Sequence, residues 1–159
     1  MPIDPHATTY YKEARFTTRL PNAYSYTPSH FWIVETEAGL LRVGMTKFAT
    51  RMLGDFVEFR FDVVPGEAVE VGQPIGSIEG FKAVSELYCA VHGEFQGGNA
   101  ELQDHPELVD ADAYDRGWLY QVRGLAGSEA LDVNGYIGIL DATIERMLAE
   151  SKAQKERTC

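Results

Sequence analysis

The central part of the chain alternates short apolar runs with glycine-containing turns, a pattern typical of β-structure. The runs Phe31–Val34 and Leu40–Val43 flank a turn that contains Gly39, which predicts a hairpin. From Val57 to Val63 every second residue is apolar, so this segment is predicted to be a strand with one buried face. Further strand-like runs lie at 69–71, 75–78, 83–89 and 118–122. Many short strands with glycine corners indicate a mainly β fold, a small barrel or sandwich.

Two segments carry the signals of helices. Thr46 precedes Lys47–Leu53 and Gly54 follows it, which is the order of an N-cap, a short helix and a C-terminal glycine. Phe48, Met52 and Leu53 are expected to face the core. Near the C-terminus, apolar residues recur at steps of three and four, which predicts one amphipathic helix. These residues are Ile137, Leu140, Ile144, Met147 and Leu148.

Two other segments lack a sustained period. Residues Met1–Tyr26 mix aromatic, proline and arginine residues, and they are interpreted as an N-terminal extension that packs partly on the body. Residues Glu101–Asp115 place acidic side chains around Pro106, with a few apolar anchors. This segment is predicted to be an irregular or one-turn helical connection whose charges face solvent.

Composition and charge exclude several classes of protein. A length of 159 residues is close to one domain, and the formal net charge of −10 disfavours nucleic acid and anionic membranes as partners. Two cysteines, Cys89 and Cys159, cannot form a disulfide scaffold. The chain begins with polar residues instead of an apolar signal segment, and it contains no apolar run as long as a membrane span. A cytoplasmic location is therefore expected.

The usual catalytic and metal-binding motifs do not account for this sequence. The run from Gly76 to Lys82 lacks the glycine before the lysine and the Ser or Thr after it that a phosphate-binding loop needs. No serine lies in a nucleophile elbow. Cys89 and His92 lie three residues apart, so on a strand their side chains point to opposite faces, and no second ligand pair follows. No metal site is predicted.

Lys82 is the residue with the clearest functional context. It lies between two strand-like arms, after Gly80 and the bulky Phe81, so a tight turn would lift its amine away from the sheet. Glu79 and Glu86 lie nearby. From these residues alone two interpretations stay open: an ordinary solvated lysine, or an attachment point for an acyl group.

The sequence from Tyr26 to Arg123 resembles the glycine cleavage system H proteins, which are small lipoyl carriers, and the resemblance continues more weakly into the C-terminal helix. Its most diagnostic part is the stretch after residue 105. The matching residues are Ser29, His30, Trp32, Val43, Gly44, Thr46, Phe48, Ala49, Leu53, Gly54, Asp55, Pro65, Gly66, Ile78, Glu79, Lys82, Ala83, Ser85, Tyr88, Gly93, Asn99, Pro106, Glu107, Leu108, Val109, Tyr114, Gly117, Trp118 and Leu119.

This resemblance implies a fold and a cofactor. The fold would be a barrel-sandwich hybrid, a flattened barrel with a short helix after the first hairpin and an amphipathic C-terminal helix. Lys82 would carry a covalent lipoyl group, with Glu79, Gly80, Phe81 and Glu86 as its neighbours. The chain would be a carrier and not an enzyme. It would divide into an N-terminal extension (1–25), a lipoyl-carrier domain (26–125) and a C-terminal helix and tail (126–159).

Departures from the family pattern cluster around Lys82. Gly80 and Phe81 replace the usual Ser and Val, Phe31 stands where Glu is usual, and the chain reads Cys89-Ala90-Val91-His92-Gly93 where the family reads Ser-Pro-Val-Ser-Gly. These departures favour a specialised branch, the lipoate-binding proteins of cytoplasmic sulfur oxidation, whose arm passes sulfur intermediates to a heterodisulfide-reductase-like complex. In that branch Cys89 is a candidate for thiol assistance, although a packing role fits it equally well.

Three alternatives stay open at this point. The first is the glycine cleavage system itself, with glycine decarboxylase and aminomethyltransferase as partners. The second is an unmodified domain that serves as a binding or regulatory module. The third is a biotin carrier, which is disfavoured because Phe81 and Ala83 flank Lys82 where methionines are usual. Any lipoyl form also implies a lipoate ligase or lipoyl synthase system and dihydrolipoamide dehydrogenase as partners.

Overall fold

The computed structural model describes residues 5–158, without the side chains of residues 5, 56, 57, 157 and 158. A 3-10 turn at Pro5–Ala7 comes first. The strands are β1 (Thr8–Glu13), β2 (Phe16–Pro21), β3 (Ser25–Tyr26), β4 (Phe31–Glu37), β5 (Leu40–Met45), β6 (Phe56–Phe61), β7 (Ala68–Val69), β8 (Pro74–Gly80), β9 (Val84–Tyr88), β10 (Val91–Gly98) and β11 (Tyr120–Ala126). The helices are α1 (Lys47–Leu53), α2 (Glu101–Asp104), α3 (Leu108–Ala111) and α4 (Val133–Thr158).

Two antiparallel sheets form the body of the molecule. The larger sheet has six strands in the order β3-β4-β5-β11-β10-β7, and the smaller has three in the order β6-β8-β9. The predicted first hairpin is present as β4 and β5, which pair from Phe31 opposite Met45 to Glu37 opposite Leu40. This arrangement confirms the prediction of a mainly β, flattened barrel-sandwich fold with a C-terminal helix.

The barrel is filled by aliphatic and aromatic side chains from both sheets. Val43, Ile75, Leu87, Val91 and Phe95 are all buried in one cluster. Phe59 and Phe61 of β6 pack against this cluster, as their alternation predicts, whereas the side chain of Val57 lies outside the described part of the chain. Because both sheets contribute to one continuous core, the small sheet that carries Lys82 is held firmly on the body.

A second core forms where the N-terminal extension meets the helices. Residues 8–21 form the hairpin β1–β2, which the mixed pattern of this segment did not reveal. Phe16 and Leu20 are buried beside Phe48 of α1 and Leu140 of α4, and the Tyr11 hydroxyl donates to a carboxylate oxygen of Asp141 at 2.7 Å. The extension is thus an ordered element of the fold, while Met1–Asp4 lie outside the described residues.

The helix after the first hairpin has the predicted bounds and caps. The Ala49 N–H donates to the Thr46 hydroxyl, and Gly54 follows the last turn with a φ of 81°. The predicted connection over 101–115 is also present, as the short helices α2 and α3 joined by irregular chain.

Three side chains predicted to be buried are exposed. Met52, Met147 and Leu148 are 49%, 38% and 51% exposed, because helical spacing marks a face of a helix without showing how far the neighbouring element covers it. The last strand was also placed too early, since β11 runs over Tyr120–Ala126 and the predicted run began at Trp118.

Candidate functional site

Lys82 lies in the turn of the β8–β9 hairpin. The last pair of the ladder is Glu79 opposite Val84, and the Gly80 N–H donates to the Ala83 carbonyl at 2.8 Å to close the turn. Residues 81–83 are all exposed, so the turn presents Lys82 to solvent as the sequence predicts.

The turn is fastened to the segment that follows α1. The Phe81 N–H donates to the Asp55 carbonyl at 2.7 Å, and the Lys82 N–H donates to the Leu53 carbonyl at 3.1 Å. A hairpin tip with its own ladder alone would fray, so these two bonds from a separate element reduce its mobility. The backbone of Lys82 is therefore a fixed base.

Gly80 permits this close approach. A Cβ atom at residue 80 would lie 2.4 Å from the Leu53 carbonyl oxygen and 2.4 Å from Leu53 Cγ. The first of these atoms belongs to the backbone and cannot turn aside, so a serine here requires the turn to move away from α1. Glycine at this position is the means by which the attachment turn packs directly on the helix end.

The lysine side chain runs along the end of α1. Its stem passes over Gly54, where an added Cβ would lie 2.7 Å from Lys82 Cγ, and its Nζ donates to the Arg51 carbonyl at 3.4 Å. The amine is exposed, so an enzyme can reach it. These features fit a covalent acyl group. Acylation turns the amine into an amide, which still has one N–H to donate. It also removes the positive charge of Lys82, and because the side chain is exposed, no buried group loses a charged partner.

The other residues predicted to surround Lys82 differ in exposure and in hydrogen bonding. Phe81 is 84% exposed beside Lys82, and Glu79 is half-buried within the ladder. The Tyr88 hydroxyl donates to a Glu86 carboxylate oxygen at 2.6 Å, and this bond raises the pKa of Tyr88. Glu86 therefore interacts with its own strand and not with the lysine amine.

A cleft of about 300 Å³ lies on the side of the hairpin where Ala83 and Tyr88 point, and we call it the core cleft. Much of its lining is apolar and comes from Phe31, Met45 and Met52, with polar groups from Ser29, His30, Ser85 and Glu86. The sequence did not reveal this cleft. Its lining comes from five separate parts of the chain, so no local pattern could indicate it.

Cys89 lies in the core and away from the arm. It is 2% exposed, and its thiol donates to the Val91 carbonyl at 3.1 Å. Burial raises the pKa of Cys89, which disfavours the thiolate that thiol assistance requires. The geometry thus supports packing as the role of Cys89, whereas Cys159 lies outside the described residues.

His92 and His30 form hydrogen bonds within the fold. His92 is exposed, and its Nδ1 accepts the Val71 N–H at 3.3 Å. His30 Nδ1 lies 2.8 Å from the Tyr136 hydroxyl, and burial lowers the pKa of His30 to about 4. Among residues 5–158 no group of His, Cys, Asp or Glu is placed to hold a metal ion. None of the helices in that range has the length and apolar character that a membrane crossing requires.

Taken together, a flattened barrel and a fixed turn with an exposed lysine define a protein that carries a covalent group for other enzymes. The model of the family described as "Glycine cleavage H-protein" matches residues 24–134, and the chain belongs to this family. Proteins of this family are carriers of lysine-bound lipoate and not themselves enzymes. The predicted family, carrier class and cofactor are confirmed.

Individual relatives agree with the family match. Glycine cleavage system H proteins of Shewanella sp. (strain ANA-3) and Shewanella baltica (strain OS155) are 37% and 36% identical over 127 residues, which cover 78% of this chain and 98% of each relative. The crystal structure of a glycine cleavage system H protein from Mycobacterium marinum aligns with a TM-score of 0.67 and 36% identity. It covers 75% of this chain and 97% of that chain.

Proposed function

We propose that Lys82 is the lipoyl attachment site and that the loaded arm visits successive partner enzymes. The observation that supports this proposal is the exposed amine on a turn fastened by two backbone hydrogen bonds to the end of α1. When bound, a lipoyl group supplies a dithiolane that exchanges electrons and cargo by thiol chemistry. Tethering that group to a fixed base raises its local concentration at each partner's active site.

The body of the protein contributes recognition. The net charge of −10 favours transient contact with basic patches on partners, which speeds encounter without requiring high affinity. Around the arm, Phe81 and Val84 present apolar side chains of which 84% and 69% are exposed. An enzyme that docks on the hairpin therefore meets an apolar centre within an acidic surface.

The names of the relatives favour glycine cleavage as the pathway in which the lipoyl arm acts. In that system the carrier would take its cargo from glycine decarboxylase, deliver it to aminomethyltransferase and be reoxidised by dihydrolipoamide dehydrogenase. The relatives match over nearly their whole length. Glycine cleavage is therefore our first candidate function. Sulfur oxidation, which the sequence departures around Lys82 favour, is the second.

One observation keeps sulfur oxidation as a second candidate. Phe31, Met45 and Met52 line the core cleft, so the wall beside the arm offers apolar contacts. Sulfane sulfur is soft and suits the thioether and apolar groups of this wall, whereas a cationic aminomethyl cargo would depend on Glu86 in the same lining. The partner in this case would be a heterodisulfide-reductase-like complex.

Intact mass tests the attachment. Wild-type protein and Lys82→Arg are expressed with an active lipoylation pathway, and we expect the lipoyl mass increment in wild type alone. Circular dichroism of both proteins controls for folding. A fully folded wild type that is never modified contradicts the proposal and favours the unmodified binding module.

Two assays on the lipoylated protein distinguish glycine cleavage from sulfur oxidation. Glycine decarboxylase is tested for exchange of bicarbonate into glycine, and the heterodisulfide-reductase-like complex is tested for turnover that depends on the carrier. Phe31→Glu is the matched variant, because it adds a carboxylate to the core cleft without altering the attachment turn. Exchange at ordinary carrier concentrations supports glycine cleavage. Weak exchange that improves in Phe31→Glu, together with turnover by the sulfur complex, supports the second candidate.

A further inference from the structure

A second groove lies beside Lys82, at the N-terminal hairpin and α4. It has a volume of about 270 Å³, and we call it the side groove. Phe16, Met52, Ile144, Met147 and Leu148 line its apolar interior, and Lys82 lies on its edge. Its surface is mostly apolar although it opens to solvent next to an amine.

The walls of the side groove come largely from outside the family match. Phe16 belongs to β2, and Ile144, Met147 and Leu148 belong to the C-terminal part of α4, whereas the family model covers residues 24–134. The hairpin and the helix are packed on each other through Tyr11 and Asp141. The N-terminal hairpin and α4 therefore supply most of the groove, and α1 completes it with Phe48, Arg51 and Met52.

The lysine side chain lies between this groove and a neighbouring cleft of about 400 Å³, and it lines both. Its stem lies over Gly54, which lines the neighbouring cleft, and its Nζ reaches the carbonyl of Arg51, which lines both spaces. Lys82 does not line the core cleft, where Ala83 takes the corresponding place. A group attached to Nζ therefore begins at the border of both spaces, and the charged residues Lys47, Asp55 and Asp110 make the neighbouring cleft the less suitable one for an aliphatic chain.

The chemistry of the lining fits a lipoyl chain. Such a chain is an aliphatic acid that ends in a five-membered ring with two sulfur atoms, so it gains from apolar burial and from contact with polarisable thioethers. Met52 and Met147 supply two thioethers, and Leu148 supplies an aliphatic side chain that is 51% exposed. A volume near the lower end of small-ligand pockets suits part of the chain.

We propose that the side groove is the resting site of the lipoyl chain carried by Lys82, an inference that rests on the proposed function. Between visits to partners the outer part of the chain lies against Met52, Met147 and Leu148. The attached chain then leaves the groove when a partner docks on the hairpin. The N-terminal hairpin and the end of α4 thus hold the chain from the side opposite α1.

Methionine methyl groups report where the chain rests. The protein has four methionines, of which Met147 lines only the side groove, Met45 lines only the core cleft, and Met52 lines both. Carbon-13 methyl spectra are recorded for the unmodified and the fully lipoylated protein, with resonances assigned from single Met→Leu variants. Intact mass establishes the extent of lipoylation beforehand.

We expect the Met147 and Met52 resonances to shift on lipoylation and the Met45 resonance to stay in place. Fully lipoylated protein with no shift at Met147 overturns the proposal, and so does a shift confined to Met45 and Met52, which would place the chain in the core cleft. Protein that is not lipoylated at all contradicts the attachment itself, and the groove proposal fails with it. The mass measurement distinguishes these two failures.

A second measurement uses the reduced arm. Its thiols are alkylated in wild type, in Leu148→Glu, and in Leu125→Glu as a matched control, since Leu125 is also exposed and lines neither space. If about two methylene groups are buried at rest, alkylation in Leu148→Glu should be roughly tenfold faster than in wild type. Leu125→Glu should match wild type, and equal rates in all three proteins contradict a buried resting state.

Discussion

Replacing Gly80 by alanine tests how the attachment turn is held. The added Cβ would lie 2.4 Å from the Leu53 carbonyl oxygen, far inside ordinary contact distance. The Leu53 carbonyl also accepts the Lys82 N–H, so any movement that relieves the contact weakens this bond. The substitution therefore acts on packing and on the fixed position of Lys82 together.

The size of the effect follows from overpacking. Inserting a methyl group into a closely packed contact costs about 1–3 kcal/mol, and we expect a value near the middle of this range because a backbone atom is involved. For a protein of this size, a loss of about 2 kcal/mol lowers the melting temperature by roughly 4–8 °C. The rate of lipoylation should also fall, because the turn is displaced from its base.

Gly138→Ala is the matched control for this experiment. A Cβ at residue 138 meets no atom within 4 Å, and the residue lies within α4. Alanine there should raise the free energy of unfolding by up to about 1 kcal/mol through helix propensity. Thermal melts of both variants, with lipoylation rates by mass spectrometry, provide the test. A Gly80→Ala protein that melts and is modified like wild type refutes the close approach of the turn to α1.

Three further predictions concern the body of the protein. Cys89 should resist alkylation in the folded protein and react only on unfolding, because its thiol is buried and its pKa is raised; rapid modification of Cys89 under native conditions would show an open core. The His30 pKa is lowered from 6.5 to about 4, so the folded state favours neutral imidazole, and stability should decrease as the pH falls from about 6.5 towards 4. His30→Gln should reduce this slope in urea titrations at several pH values, and an unchanged slope would assign it to other groups. Ala14 has a φ of 54° in the turn between β1 and β2, so Ala14→Gly should raise the free energy of unfolding by up to about 1 kcal/mol, whereas a lower melting temperature would show that the turn is not strained.

Local signals explain which elements could be predicted. The β4–β5 hairpin and α1 follow from a glycine turn, an N-cap and a C-terminal glycine, all of which lie within a few residues of the elements they define. The β1–β2 hairpin was not recognised because its turn is formed by Ala14 and Arg15, which carry no turn signature. Its burial depends on α4, about 130 residues away in the chain.

The site was predictable in part for the same reason. The turn that exposes Lys82 follows from Gly80 and the flanking strands, but its attachment to Leu53 and Asp55 depends on tertiary packing. Met147 and Leu148 match the helical period of buried residues, yet both are exposed and line the side groove. The turn of the β1–β2 hairpin lies beside this part of α4 but does not cover it. The identity of the cofactor came from the family resemblance, because an exposed lysine alone has no chemistry that specifies lipoate.

The most direct test of the central claim is to map the modified residue. Protein lipoylated in a host with an active pathway is digested, and tandem mass spectrometry locates the acyl group among the lysines, including Lys47, which lines a common cleft with Lys82. We predict the lipoyl group on Lys82 alone. A lipoyl group on Lys47 or another lysine, with Lys82 unmodified, would contradict the account.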